Sequence, residues 1–274
     1  MDAITIRGVR LELQHIPGPA HLAPLVFLHE GLGSVSAWGR GVHAWPRQLC
    51  AATGRAGWLY SRRGFGQSDP TPDFRGPSRD EGGWPVGRRR ADYLHHDAWV
   101  VLPELLRQLG VRAPVLIGHS DGASIALLHA ARHEVMACVA MAPHVFIEDM
   151  TVRAIEQARA AYADTLRPKL ARHHRDPDNA FWPWVDIWLD PAFRDFDIQA
   201  ECRDIRCPLL LVQGEDDEYA SMAQLHAIAR AAPQAREWAL AHCGHSPHRD
   251  QPGPLTAGIA QWLATLPPRP TDRT

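Results

Sequence analysis

One serine in this chain stands where a nucleophile is needed. Gly118-His119-Ser120-Asp121-Gly122 follows the apolar run 114–117 and opens an Ala/Leu-rich stretch that ends at Arg132. Strand, sharp turn and helix is the context that lifts a G-x-S-x-G serine to the carboxyl end of a strand, with glycines on both sides keeping neighbouring side chains clear. The start of that helix offers unpaired N–H groups and a positive dipole end to an oxyanion forming beside the serine. The competing reading makes Ser120 a helix cap and nothing more.

A serine hydroxyl is a weak nucleophile and needs a base. With 16 histidines in the chain, a lone His says little. His245 stands out within Cys243-Gly-His-Ser-Pro-His248, just after the strand candidate 236–241. Gly244 directly before it frees the turn and favours it over His248, three residues on. An acid is expected after the apolar run 208–212, where Gly214-Glu215-Asp216-Asp217 supplies three carboxylates. Asp217 is the first choice and Asp216 the second; such a group holds the imidazole tautomer and stabilises its cation. The remaining acids read as a solvated loop.

The elements that must position these groups alternate along the chain. Residues 4–16 alternate apolar and polar and read as an antiparallel edge. Runs at 24–29, 58–60, 114–117, 135–141 and 208–212 are wholly apolar and fit strands buried on both faces. Helical stretches at 92–109, 120–132, 221–231 and 254–266 lie between or after them. This order predicts a mostly parallel sheet with helices on both faces. Residues 70–90 interrupt it as a Pro/Gly/Arg-rich loop, whose Arg88-Arg89-Arg90 reads as a solvated surface run. Residues 145–206 interrupt it again. They read as a helical cap inserted into a single core made of 1–144 and 207–274. The Pro-rich tail 267–274 is expected to fray.

Five landmarks in this order resemble the α/β-hydrolase superfamily over roughly residues 20–266. His29-Glu-Gly-Leu-Gly33 with Trp38 is similar to the family's H-G-x-P-G segment, and Arg63-Gly-Phe-Gly-Gln-Ser68 to its R-G-x-G-x-S segment. The elbow, the stretch Gly214 to Asp217, and Gly244-His245 complete the set. The resemblance implies the α/β-hydrolase fold, a Ser120–Asp217–His245 triad, and an oxyanion hole from the backbone N–H groups of Gly31 and Asp121. It implies hydrolysis of a small or medium carboxylic ester or lactone through an acyl-enzyme. The same triad serves thioesterases, aminopeptidases and carbon–carbon bond hydrolases, and a non-catalytic receptor is a more distant alternative. Relatives that replace the nucleophile with Asp are excluded by Ser120.

Three positions depart from the family pattern: Glu30 for a glycine, Ser61 where an Asp often stands, and Asp121 for a Met, Gln or Gly. Glu30 beside the hole either meets a polar or cationic substrate group or forms a structural ion pair. His144, past the strand 135–141, is a candidate pocket residue. Trp182, Trp184 and Trp188 of the cap either wall the substrate pocket or pack the cap onto the body.

Composition narrows the partners. A formal net charge of −2 leaves no electrostatic footprint for nucleic acid or an anionic membrane. No apolar run reaches the ~18 residues of a membrane span, and the N-terminus has no apolar secretory core. The five cysteines show no metal spacing. The expectation is a cytoplasmic monomer or homodimer that acts on a small molecule without cofactor or metal.

Overall fold

Apolar runs too short for helices become the middle of one sheet in the computed structural model, which describes residues 2–267. Strands β1 (Asp2–Ile6) and β2 (Val9–Ile16) make the antiparallel edge, followed in the chain by β3 (Leu25–Leu28) and β4 (Gly57–Tyr60). After a small ribbon of β5 (Arg79–Glu81) and β6 (Trp84–Val86) come β7 (Val115–His119), β8 (Ala137–Met141), β9 (Leu209–Gly214) and β10 (Arg236–Leu240). The large sheet runs β1-β2-β4-β3-β7-β8-β9-β10. It is antiparallel at β1/β2 and β2/β4 and parallel at every other pairing.

Every residue of β3, β7, β8 and β9 is buried, because both faces of these strands are covered. Successive side chains feed opposite cores: Val26, Leu28 and Leu116 one, Leu25, Phe27 and Ile117 the other. Helix α1 (Trp45–Thr53) packs on the second face. A helical run of α2 (Tyr93–His96), a π-helical turn Asp97–Val101 and α3 (Leu102–Gln108) packs on the first. Helix α4 (Asp121–Ala130) leaves β7 and is buried along its whole length.

Residues 145–206 hold α5 (Asp149–Ala160), α6 (Arg167–Leu170), α7 (Pro177–Trp188) and α8 (Gln199–Cys202). The two ends of this stretch meet where Ile198 N–H donates to Val145 O at 2.8 Å. His174 ties it to the body from both ring nitrogens, accepting from Gly66 N–H at 2.9 Å and donating to Leu32 O at 3.0 Å. Helix α9 (Ala223–Ala231), the short α10 (Pro247–Asp250) and α11 (Pro252–Ala264) complete the fold.

Two expectations need correction. Residues 70–90 are not all loop, since Gly82 and Gly83, at φ 61° and 80°, turn β5 into β6. The helix expected over 92–109 is interrupted by the π turn, which brings Asp97 to 3.6 Å from Arg62. Of the tail 267–274, residues 268–274 lie outside the described residues. Among the described residues no helix is long and apolar enough to cross a membrane, and the five cysteines are unpaired.

Candidate active site

Ser120 sits at φ 53° and ψ −121°, a backbone conformation that non-glycine residues rarely adopt. Its neighbours make that turn possible. A Cβ on Gly118 would lie 2.4 Å from Gly122 O, and one on Gly122 would lie 2.0 Å from Leu28 O, so only glycine fits at either position. The Ser120 side chain makes no capping bond to α4. Its Oγ lies 3.0 Å from His245 Nε2 instead.

The imidazole of His245 is held from behind. Its Nδ1 is 2.9 Å from both carboxylate oxygens of Asp217. Asp217 also accepts from Gln213 Nε2 at 2.9 Å and from the Tyr219 and Ala220 amides at 2.8 and 3.1 Å. Burial works to raise the Asp217 pKa, but the hydrogen bond and charge of His245 outweigh it, and the value falls below the usual 3.8. Burial likewise works to lower His245, and Asp217 outweighs it, leaving the imidazole above its usual 6.5. Each partner thus favours the charged form of the other.

The alternatives to these two residues sit elsewhere. Asp216 is exposed. His248 is buried, with its ring 4.7 Å from Trp38 and 4.8 Å from His119. Gly244 does not act through backbone freedom as expected, because the left-handed turn falls on His242 at φ 56°. Its amide donates to Asp250 at 2.9 Å, and the His245 amide donates to Glu218 at 3.1 Å; these two bonds fix the loop.

Gly31 and Asp121 line the same cavity as Ser120. Among the described residues neither amide has a hydrogen-bond acceptor in the protein. The Glu30 carbonyl accepts from His29 Nδ1 at 2.7 Å and from Arg62 Nη2 at 2.9 Å. A peptide group is planar, so pinning that carbonyl also fixes the direction of the Gly31 N–H. His29 takes the Arg62 amide on its other nitrogen at 3.0 Å. Burial and the Arg62 charge hold His29 well below its usual pKa, so it stays neutral.

Arg62 carries no signal in sequence, yet its guanidinium also reaches Asp121 Oδ2 at 3.3 Å. One buried cation therefore braces both candidate oxyanion residues. Tyr93 joins the network: its hydroxyl donates to Asp121 Oδ2 at 3.0 Å and accepts from Trp188 Nε1 at 2.9 Å. Ser61, in place of an Asp, donates to Glu12 Oε2 at 2.6 Å and accepts from the Val35 amide at 2.9 Å.

The cavity over Ser120 measures about 210 Å³. Trp184 and Trp188, one helical turn apart on α7, line it with Ile155, Thr151, His144 and Tyr219. His144 packs edge-on against Trp188 at 5.0 Å, and burial pushes its pKa down to about 4. Glu30 also lines the cavity, but its charge is matched. Arg249, 2.8 Å from one oxygen, supplies that match, whereas His119, 3.4 Å from the other, is pushed by burial to about 4 and adds no cation near neutral pH. Trp182 corrects the expectation of three tryptophan walls. It points off the other side of α7, where Arg75 stacks on its ring at 4.1 Å and Tyr162 packs edge-on at 5.1 Å. Among the described residues no three His, Cys, Asp or Glu side chains cluster as a metal site.

The structure resembles a meta-cleavage product hydrolase from Pseudomonas fluorescens IP01 at 15% identity and TM-score 0.71, covering 96% of this chain and 97% of that one. It resembles an enol-lactonase from Burkholderia xenovorans LB400 at 18% identity and TM-score 0.67, covering 96% and 100%. A thermophilic esterase from Thermogutta terrifontis matches at 16% identity and TM-score 0.67, covering 97% and 99%. At such identities the likeness is one of fold. The sequence itself matches the alpha/beta hydrolase family over residues 25–258, and the chain belongs to that family.

Proposed function

We propose that the protein hydrolyses a small or medium carboxylic ester or lactone through an acyl-enzyme on Ser120. The observation that carries this reading is the chain Asp217–His245–Ser120, with separations of 2.9 and 3.0 Å. Ser120 Oγ attacks the carbonyl carbon while His245 Nε2 takes its proton. Asp217 accepts the Nδ1–H and stabilises the imidazolium. The Gly31 and Asp121 amides receive the oxyanion, a contribution of ~10²–10³ in turnover per donor. The leaving oxygen collects the proton from Nε2. Water then attacks the acyl carbon with His245 again as base, the acyl–Oγ bond breaks as Ser120 Oγ takes the proton back from Nε2, and the acid departs.

The cavity supports a small substrate. Its ~210 Å³ falls below the ~300–1,000 Å³ of sites for drug-sized ligands. Trp184, Trp188 and Ile155 supply an apolar wall for the acyl or ring carbons. The Glu30–Arg249 pair bears on the aminopeptidase alternative. A carboxylate already matched by a cation attracts a substrate amine less strongly, which favours the ester. The reading calls for no cofactor, metal, nucleic acid or membrane, and it is compatible with a cytoplasmic monomer or homodimer.

A panel of p-nitrophenyl esters of graded length, small lactones, thioesters and aminoacyl p-nitroanilides tests the proposal. The expected result is a burst of one equivalent of p-nitrophenol and the highest kcat/KM on short esters or a lactone. Preference for an aminoacyl anilide would overturn the substrate class.

A further inference from the structure

Arg88-Arg89-Arg90 reads in sequence as a solvated run, and its middle residue breaks that reading. Arg88 is exposed, and Arg90 pairs with Asp80 and Asp92 at 3.0 and 3.3 Å. Arg89 is only partly exposed, with its guanidinium over Phe65 at 4.9 Å and Tyr93 at 5.1 Å. Arg63 enters the same cavity from the loop after β4, stacked over Trp84 at 5.4 Å. Its Nε donates to Pro70 O at 3.2 Å.

Nη1 of Arg63 and Nη1 of Arg89 are both shut off from solvent, and neither has a hydrogen-bond acceptor among the described residues. A buried N–H without an acceptor is unfavourable, and more so when it carries charge. The acids that line this cavity are already matched elsewhere: Asp92 with Arg90, and Asp97 with Arg62. His96, the other titratable group on the wall, lies 3.4 Å from Gly83 O. Burial lowers the pKa of Arg89, and the nearby Arg62 charge acts in the same direction against the pull of Tyr93, Asp121 and Asp97. Burial lowers Arg63 as well.

We propose that the cavity between Arg63 and Arg89 is a binding site for a small oxyanion, a carboxylate or phosphate group, separate from the cavity over Ser120. Guanidinium forks match the paired oxygens of such groups. The rings of Phe65, Trp84 and Tyr93 limit the ligand to a small or flat one, and the space is about 50 Å³. Tyr93 is the shared wall. Its ring faces Arg89, and its hydroxyl holds Asp121 and Trp188 on the Ser120 side.

Calorimetric titration and thermal melts of the full chain test this, using sodium phosphate, acetate and benzoate against sodium chloride at equal ionic strength. The expected result is one site for phosphate or a carboxylate that chloride does not mimic. Arg89→Gln and Arg63→Gln should each weaken that site at least tenfold. Without added anion, Arg89→Gln should melt at the same temperature as the parent or higher, because it removes an unmatched cation. The probe that binds tightest separates a carboxylate ligand from a phosphate one. Equal binding in both variants, no preference over chloride, or a lowered Arg89→Gln melt with no anion response in the parent would each overturn the proposal.

Discussion

Tyr93 divides two buried charged regions that are built differently. On the Ser120 side charges come matched: Asp217 with His245 and three further donors, Glu30 with Arg249, Asp121 with Arg62 and Tyr93. On the Arg89 side two guanidinium groups share a cavity, and among the described residues neither has an acid within ion-pair distance. The matched region holds a fixed geometry before substrate arrives, which is what an oxyanion hole requires. The unmatched region has the character of a receptor for a charge that comes from outside.

If the matched side is a working site, damage to it should fall in a set order. Ser120→Ala should remove ~10⁵–10⁶ of turnover, with an unchanged melting curve. Residual hydrolysis above a few per cent would break the distinction at once.

Asp217→Asn should cost ~10⁴ in kcat through the wrong imidazole tautomer. It should also move the pH profile. His245 acts as base only when neutral, so the rate rises as pH climbs through its raised pKa. Without the carboxylate that raises it, the acid limb shifts to lower pH. His119 and His144 are pushed by burial to about 4 and contribute no second limb above pH 5. An acid limb that stays in place would show that Asp217 does not set the His245 pKa.

Arg62→Met should have a smaller effect on rate but a large one on stability. It leaves Asp121 and Asp97 without their buried cation, a loss of ~3–5 kcal/mol in denaturant titration. Because Arg62 holds the Glu30 carbonyl as well, kcat should fall ~10–100-fold with KM little changed. A fall in stability with kcat intact would reduce Arg62 to a structural brace.

The tryptophans give the smallest effect. Trp184→Ala should raise KM several-fold and shift preference to longer or bulkier acyl groups, as expected for ~1 kcal/mol of lost apolar contact. Trp182→Ala should leave the preference unchanged. Equal effects from both would contradict the placement of Trp182 outside the cavity.

The parts of this molecule that were legible in sequence are those whose physics is local. Strands buried on both faces show as short apolar runs, and the elbow shows because only glycine fits at 118 and 122. His245 is legible from its position after the last strand, whereas Gly244 before it serves through its amide bond to Asp250 and not through a left-handed turn. Asp217 and Asp216 differ in burial, a tertiary property that adjacent identical residues cannot reveal. Trp184 and Trp188 stand four apart, so helical periodicity alone sets Trp182 off their face. Gly82-Gly83 is likewise a visible hairpin signal in a stretch read as loop. Arg62 and Arg89 carried no such signal. Each sits within a run of arginines, and only the fold decides which side chain turns inward.

The proposed chemistry requires Ser120 to be the activated nucleophile of this site. Reaction with a fluorophosphonate, followed by peptide mass mapping, tests it most directly. One covalent adduct per chain is expected, on Ser120, formed more slowly as pH falls through the His245 titration and absent in Ser120→Ala. An adduct on another residue, or full hydrolytic activity with no adduct on Ser120, would contradict it.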